Sequence, residues 1–215
     1  MKNASYLLVL VILTIFSCRK DPSVKIETPN EPSSFDLVTT QGSWWKYDWF
    51  KIDSLGNETL TTIKDCVYVV GDTLINGNTF THLHGDFHIF NSYDWFWRDS
   101  AHYIVNQNGQ KLYSTIEGID TLEIIEGTEV NNYFITDGTE YEMTVPAGTF
   151  NVYDSELHYS YNNGSPFTNC EDTWVKHTKF ANGIGMISTQ TGFISQIQTQ
   201  CSYDESRLTE YYIAP

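Results

Sequence analysis

Basic residues are scarce in this chain of 215 residues. It carries 12 lysines and arginines against 27 aspartates and glutamates, which gives a formal net charge of −15 at pH 7. Nucleic acid binding requires basic patches that neutralise phosphates, so this balance argues against a nucleic acid partner. It also argues against attachment of the folded surface to anionic lipid head groups.

The chain lacks an apolar run long enough to span a bilayer as a helix, which takes about 17–25 residues. Its longest apolar run, Tyr6 to Phe16, follows Lys2 and is typical of the central region of a secretory signal. The Ser17-Cys18 pair that follows resembles a bacterial lipobox, in which the cysteine is acylated after signal peptidase II cleaves before it. Phe16 is atypical of that pattern, and an ordinary cleaved signal is the alternative.

We therefore predict a signal peptide over residues 1–17 and lipidation of Cys18. Residues 18–34 contain three prolines and almost no apolar side chains, which predicts a flexible tether. Residues 35–215 are long enough for a single domain with its own core. On this interpretation the protein is exported and lies at the outer membrane, on the periplasmic or the surface side, with its lipid as the membrane partner.

No convincing amphipathic helix and no internal repeat occur in the sequence. About a dozen short stretches instead alternate apolar and polar residues, with turn pairs such as Asn76-Gly77 and Asn108-Gly109 between them. This pattern predicts an all-β domain, built as an antiparallel barrel, a half-barrel or a sandwich.

Four short motifs recur in a characteristic order: Gly42-Ser43-Trp44-Trp45-Lys46-Tyr47, Gly71 to Phe80, Val145 to Phe150, and Phe180 to Ile187. In this order they resemble motifs of exported lipoproteins of the Bacteroidota. The resemblance implies an all-β exported domain. It supplies no catalytic residues.

Motifs that would identify an enzyme are missing. There is no G-x-S-x-G nucleophile motif and no family signature around a cysteine. Carboxylate pairs such as Glu140 and Glu142 are typical of a solvated face in an acidic protein. The sequence therefore favours a protein without catalysis and without a cofactor. A hydrolase of polysaccharides, with acidic residues converging in a cleft, and a structural part of an envelope assembly are the alternatives.

Cysteine pairs with C-x-x-C spacing are also missing. If Cys18 carries lipid, three cysteines remain for one disulfide. We predict a bond between Cys170 and Cys201, with Cys66 left as a buried free thiol inside a strand.

Histidines occur at positions 82, 84 and 88. His82 and His84 share one face of a predicted strand. A two-residue turn at Gly85-Asp86 would turn His88 to the opposite face, so the sequence predicts no metal site here.

Aromatic residues make up 15% of the chain and concentrate on two predicted strands. Each strand carries three on one face: Trp45, Tyr47 and Trp49 on the first, and Tyr93, Trp95 and Trp97 on the later one. Such rings either fill a core or line a binding site. We predict that they form a site for a neutral glycan or an apolar ligand, because a barrel of this size cannot bury every large ring.

Four Asp-Ser/Thr-apolar triplets resemble the O-glycosylation site of the Bacteroidota. Their hydroxyl residues, all placed at predicted turns, are Ser54, Thr73, Ser100 and Thr121. Turns can accommodate a bulky sugar, so these four are the predicted modification sites.

Overall fold

The computed structural model describes residues 36–87, 90–100, 103–114, 116, 118–165, 168–169, 172–173, 175–192 and 202–215. The predicted signal peptide, the tether and Cys18 lie outside these residues. The strands are β1 (Trp44–Ile52), β2 (Glu58–Ile75), β3 (Asn78–Phe87), β4 (Phe90–Ser100), β5 (Tyr103–Asn106), β6 (Lys111–Ser114), β7 (Asp120–Ile125), β8 (Val130–Val145), β9 (Gly148–Tyr161), β10 (Thr168–Asn169), β11 (Asp172–Thr173), β12 (Val175–Ala181), β13 (Gly185–Gly192) and β14 (Tyr203–Tyr212).

Twelve of these strands form one antiparallel sheet in the order β6-β5-β4-β3-β2-β1-β14-β13-β12-β9-β8-β7, and β10 pairs with β11 separately. The two edge strands, β6 and β7, lie side by side, so the sheet curls into a nearly closed barrel. This confirms the all-β antiparallel prediction. Among the described residues, no helix has the length and hydropathy needed to cross a membrane.

Two strands are much longer than the short stretches that the sequence predicts, with 18 residues in β2 and 16 in β8. Their length is possible because irregularities in register bend them along the barrel without ending them. One such shift lies between Val69 and Gly71 in β2, and another lies between Thr136 and Glu140 in β8. The predicted hairpin at Asn76-Gly77 is confirmed: both residues have positive φ, 51° and 82°, as a tight two-residue turn requires.

The predicted turn at Gly85-Asp86 is wrong, because β3 continues through Gly85 to Phe87. A Cβ at Gly85 would lie 2.8 Å from the Cα of Val67 on β2, so this glycine allows two strands to approach closely. Because β3 continues past Gly85, it pairs with β4 so that Leu83 lies opposite Trp95 and His84 lies opposite Asp94.

The core lies inside the barrel and follows the period of two along β1. Trp45, Tyr47 and Trp49 are all buried on the inner face, while Trp44 and Phe50 are half-exposed on the outer one. The main core combines Trp45 and Tyr47 with residues of five further strands: Val69, Leu83, Val152, Ile187 and Leu208. A second cluster joins Ile104, Tyr113 and Phe180.

Cys66 takes part in a disulfide whose other cysteine lies outside the described residues. The prediction that Cys66 is the free thiol is therefore wrong. Residue 66 lies between the inward-facing Asp65 and Val67, so its side chain points out of the barrel, where a second segment can reach it. Cys170 and Cys201 themselves lie outside the described residues.

Candidate functional site

A cavity of about 310 Å³ lies inside the barrel. Five of the six aromatic residues singled out from the sequence line it: Trp45, Tyr47, Tyr93, Trp95 and Trp97. Leu83 and Met186 add apolar surface to the same walls. We call this space the barrel cavity. Its volume falls at the lower end of the range of about 300–1,000 Å³ that is usual for small-molecule sites.

Strand pairing brings the two aromatic groups together although they are far apart in sequence. Trp45 pairs with Val67, Val67 with Gly85, and Gly85 with Tyr93, so that one row across β1–β4 begins and ends in an aromatic residue. The curvature of the sheet then turns both ends of this row toward one interior space.

The sixth aromatic candidate, Trp49, does not line the barrel cavity. Its ring is fully buried, and its indole Nε1 donates a hydrogen bond of 2.6 Å to Oδ2 of Asp65. Asp65 does line the cavity. Trp49 therefore holds Asp65, a residue of the cavity wall, in position. Its indole also gives the buried carboxylate of Asp65 the hydrogen-bond donor that a buried charged group requires.

Two other rings are held by hydrogen bonds from their polar ends. The indole Nε1 of Trp45 donates to the carbonyl oxygen of Ile184 at 2.7 Å, and the hydroxyl of Tyr47 donates to the carbonyl oxygen of Met186 at 2.9 Å. Burial and the nearby charge of Asp65 raise the pKa of Tyr47 well above its usual range, so its phenol stays a neutral donor.

Exposure increases along β4 toward one end of the cavity. Trp97 and Trp95 are half-buried, whereas Tyr93 is 47% exposed and Asp86 beside it on β3 is exposed. We call this more exposed end of the cavity its mouth. Asp86 accepts a hydrogen bond of 2.9 Å from the Ser92 hydroxyl.

Lys176 on β12 also lines the barrel cavity, and desolvation lowers the pKa of its ammonium group. The sequence reasoning missed Lys176 and Asp65 as site residues. The period of two could have identified both residues as inward-facing. Lys176 lies on the same strand face as Phe180, and Asp65 lies on the same strand face as Val67 and Val69.

A histidine cluster lies on the outer face of β3 and β4. Nε2 of His82 and Nδ1 of His84 are each 2.7 Å from the same oxygen, Oδ1 of Asp94. These two contacts hold the pKa of Asp94 below its usual range. The donor atoms lie within 4.8 Å of one another, so the cluster has the composition of a metal site. The sequence analysis did not identify Asp94 as part of this cluster, because it placed a turn at Gly85-Asp86. His88 lies outside the described residues.

The four predicted O-glycosylation residues differ in their surroundings. Ser54 is exposed in the turn between β1 and β2, as expected. The prediction of a turn is wrong for Thr73, which pairs with Phe80 inside a hairpin, and for Thr121, which lies on β7. Ser100 is the last residue of β4, and the two residues that follow it lie outside the described residues. Thr121 is exposed, and Thr73 and Ser100 are half-buried.

No protein-family model and no curated protein matches this chain. Two crystal structures resemble it. One, from Parabacteroides distasonis, is described as "a putative lipoprotein"; it shares 12% identity, with a TM-score of 0.44, and the match covers 85% of this chain and all of that one. The other, from Bacteroides fragilis, is described as "a putative exported protein with YmcC-like fold"; it shares 10% identity, with a TM-score of 0.45, over 83% of this chain and 99% of that one. Likenesses this remote carry no inference about the family or the function of the chain.

Proposed function

We propose that this protein is a lipid-anchored envelope protein that binds a small, mainly apolar ligand in the barrel cavity and does not convert it. The observation that carries the proposal is the aromatic lining of the cavity, to which β1 contributes Trp45 and Tyr47 and β4 contributes Trp95 and Trp97. Concave apolar sites with a few placed polar groups are the usual form of small-molecule sites.

The placement of the rings favours an apolar ligand over a glycan. Trp45 and Tyr47 are buried at the back of the cavity, so they cannot serve as an exposed platform on which a sugar ring stacks. A ligand must enter past Tyr93 and lose its water, which favours molecules with little polar surface. Asp65, Asp86 and Lys176 supply a few polar contacts, and these suit a ligand with one polar end.

The anchor is proposed from the sequence alone. Acylation of Cys18 and a tether of residues 18–34 would hold the barrel near a membrane from which apolar molecules can be taken or to which they can be delivered. Cys18→Ser should release the protein from the membrane fraction of the native host. Sedimentation of the variant with the membranes would overturn the anchor.

Ligand binding can be tested with N-phenyl-1-naphthylamine, an apolar dye whose fluorescence rises in dry sites. We expect saturable binding to the mature Cys18→Ser chain. Trp95→Ala should weaken binding at least fivefold, a loss of about 1 kcal/mol. The matched control is Trp44→Ala, which removes a ring from the outer face of β1 and should leave the dissociation constant unchanged.

A second variant separates loss of binding from loss of fold. Val67→Phe adds volume to the cavity wall and should block the dye while the far-ultraviolet spectrum stays that of the parent protein. Absence of binding to the parent chain, or binding that neither variant changes, would overturn the proposal. Saturable binding of a neutral oligosaccharide that the dye does not displace would favour the glycan alternative.

One observation favours the hydrolase alternative: two carboxylates, Asp65 and Asp86, line the same cavity. One of them, Asp65, is buried and is already engaged by the Trp49 indole. Release of reducing ends from a polysaccharide by the parent protein, abolished in Asp65→Asn, would establish hydrolysis in place of simple binding.

A further inference from the structure

A second group of ligating side chains lies on the outer face of the sheet, away from the barrel cavity. Asp154 and Glu156 lie on β9 and His177 on β12, with Glu156 directly opposite His177 in the register. One donor atom from each of the three lies within 4.8 Å of the others. We propose that these three side chains bind a divalent transition-metal ion of the Zn²⁺ class.

The distances suit such an ion. Nδ1 of His177 is 2.8 Å from Oδ2 of Asp154 and 3.8 Å from Oε1 of Glu156. Around tetrahedral zinc, with bonds of about 2.0–2.2 Å, neighbouring ligand atoms lie about 3.3–3.5 Å apart. The two observed distances lie on either side of this value, so small rotations of side chains bring all three donors to the ion.

A separate observation also points to a ligand at this place. Oδ1 of Asp154 is buried and has no hydrogen-bond partner among the described residues, although the whole side chain keeps 14% exposure. A buried carboxylate oxygen without a partner is unfavourable, and a bound ion or an ordered water is the usual explanation. A cation held by both oxygens of Asp154 would satisfy it.

Neighbouring side chains fix the orientation of the proposed ligands. Nε2 of His158 is 2.6 Å from Oε2 of Glu156, the oxygen that does not face His177, and the Tyr141 hydroxyl donates to Oδ2 of Asp154 at 3.3 Å. Partners of this kind hold metal ligands in place and raise affinity. Lys179 lies opposite Asp154 in the register, and its positive charge opposes cation binding.

The cluster on β3 and β4 is the weaker candidate. His82 and His84 both contact one oxygen of Asp94, whose side chain is 51% exposed, so hydrogen bonds and solvent already satisfy the group. It nevertheless provides the matched control.

The test titrates the mature Cys18→Ser chain, without an affinity tag, with Co²⁺ followed by visible absorbance, and then with Zn²⁺ in competition. We expect one ion per chain. Asp154→Asn and His177→Gln should each weaken binding at least about tenfold, whereas Asp94→Asn and His82→Gln should not change it. Lys179→Gln, which removes the opposing charge, should strengthen binding.

Three results would overturn the proposal. The first is the absence of a bound ion in the parent chain, and the second is loss of binding in Asp94→Asn and His82→Gln but not in Asp154→Asn and His177→Gln. The third is no gain of affinity in Lys179→Gln. The last variant removes none of the ligands. It therefore keeps the test decisive even if Asp154→Asn fails to fold.

Discussion

The indole of Trp45 on β1 donates a hydrogen bond of 2.7 Å to the carbonyl oxygen of Ile184, in the turn between β12 and β13. The two residues are 139 positions apart in sequence. Tyr47, two residues further along β1, makes the same kind of contact with Met186. These bonds fix the two rings in the wall of the barrel cavity, and under the proposed function this would lower the ordering cost of binding a ligand.

Trp45→Phe should destabilise the protein, because it leaves the Ile184 carbonyl without its indole donor and opens space in the core. We expect the free energy of unfolding in urea to fall by about 1–3 kcal/mol. Trp44→Phe, on the outer face of the same strand, is the control and should change it by less than about 0.5 kcal/mol. Equal effects of the two substitutions would show that the hydrogen bond contributes nothing.

Replacement of the β4 aromatics by alanine should have graded effects on stability. Trp97 packs against both core clusters and meets the Phe180 ring edge-on at 6.5 Å, so Trp97→Ala should cost about 3 kcal/mol or more. Tyr93→Ala, at the mouth, should cost less than about 1 kcal/mol, with Trp95→Ala between them. Urea unfolding of the three variants measures the order, and a larger loss for Tyr93 than for Trp97 would contradict the proposed position of the mouth.

The ion pair between Glu58 and Arg207 should make stability depend on pH. Their two parallel hydrogen bonds, of 2.7 and 2.5 Å, hold the pKa of Glu58 below its ordinary value of 4.5. A carboxyl whose pKa is lower in the folded state stabilises the protein above the unfolded pKa, and this contribution is lost as pH falls through the folded pKa. Glu58→Gln should therefore cost up to about 1 kcal/mol at pH 7, because the pair is partly exposed.

The difference between the parent protein and Glu58→Gln should shrink as the pH falls below 4.5, and urea unfolding at pH 7 and pH 3 measures it. Glu142→Gln is the control, since Glu142 is exposed and has no ion pair within the described part of the chain. A constant difference at both pH values would show that the carboxylate charge of Glu58 is not responsible.

Cys66 should be found linked to Cys170 or Cys201 when the mature protein is digested and mapped without reduction. If Cys18 carries lipid, those two are the only cysteines left to bond Cys66, and the predicted pairing of Cys170 with Cys201 is then excluded. Reduction should lower the free energy of unfolding by about 2–4 kcal/mol. A recovered peptide that joins Cys170 to Cys201 would contradict this assignment.

The protein purified from its native host should be heavier than the lipidated polypeptide if the predicted O-glycosylation occurs. Ser54 and Thr121 are exposed, so we expect glycopeptides at these two in preference to the half-buried Thr73. Ser54→Ala combined with Thr121→Val should remove most of the added mass, and Thr73→Val should not. An intact mass equal to that of the lipidated polypeptide would rule the modification out.

The local sequence pattern correctly predicted those features of the structure that depend on a few neighbouring residues. The alternation of β1 placed Trp45, Tyr47 and Trp49 on one face, and the Asn76-Gly77 pair marked a tight hairpin, because side-chain direction and positive φ are properties of a few consecutive residues. It failed at Gly85, where glycine is needed for contact with another strand and not for a turn. Because of that one error, the sequence analysis did not place Asp94 opposite His84.

The sequence by itself determined the all-β class, the shared face of the three aromatic residues on each of two strands, and the acidic balance of charge, since these depend on composition and on a period of two. Tertiary structure alone decided which of these residues meet. The pairing of β1 through β4 and the closure of the barrel bring Trp45 and Trp97 to one cavity, and the pairing of β9 with β12 brings Asp154 and Glu156 to His177. The register between distant strands depends on the packing of the whole core and on bulges within it, and no short stretch of sequence specifies that.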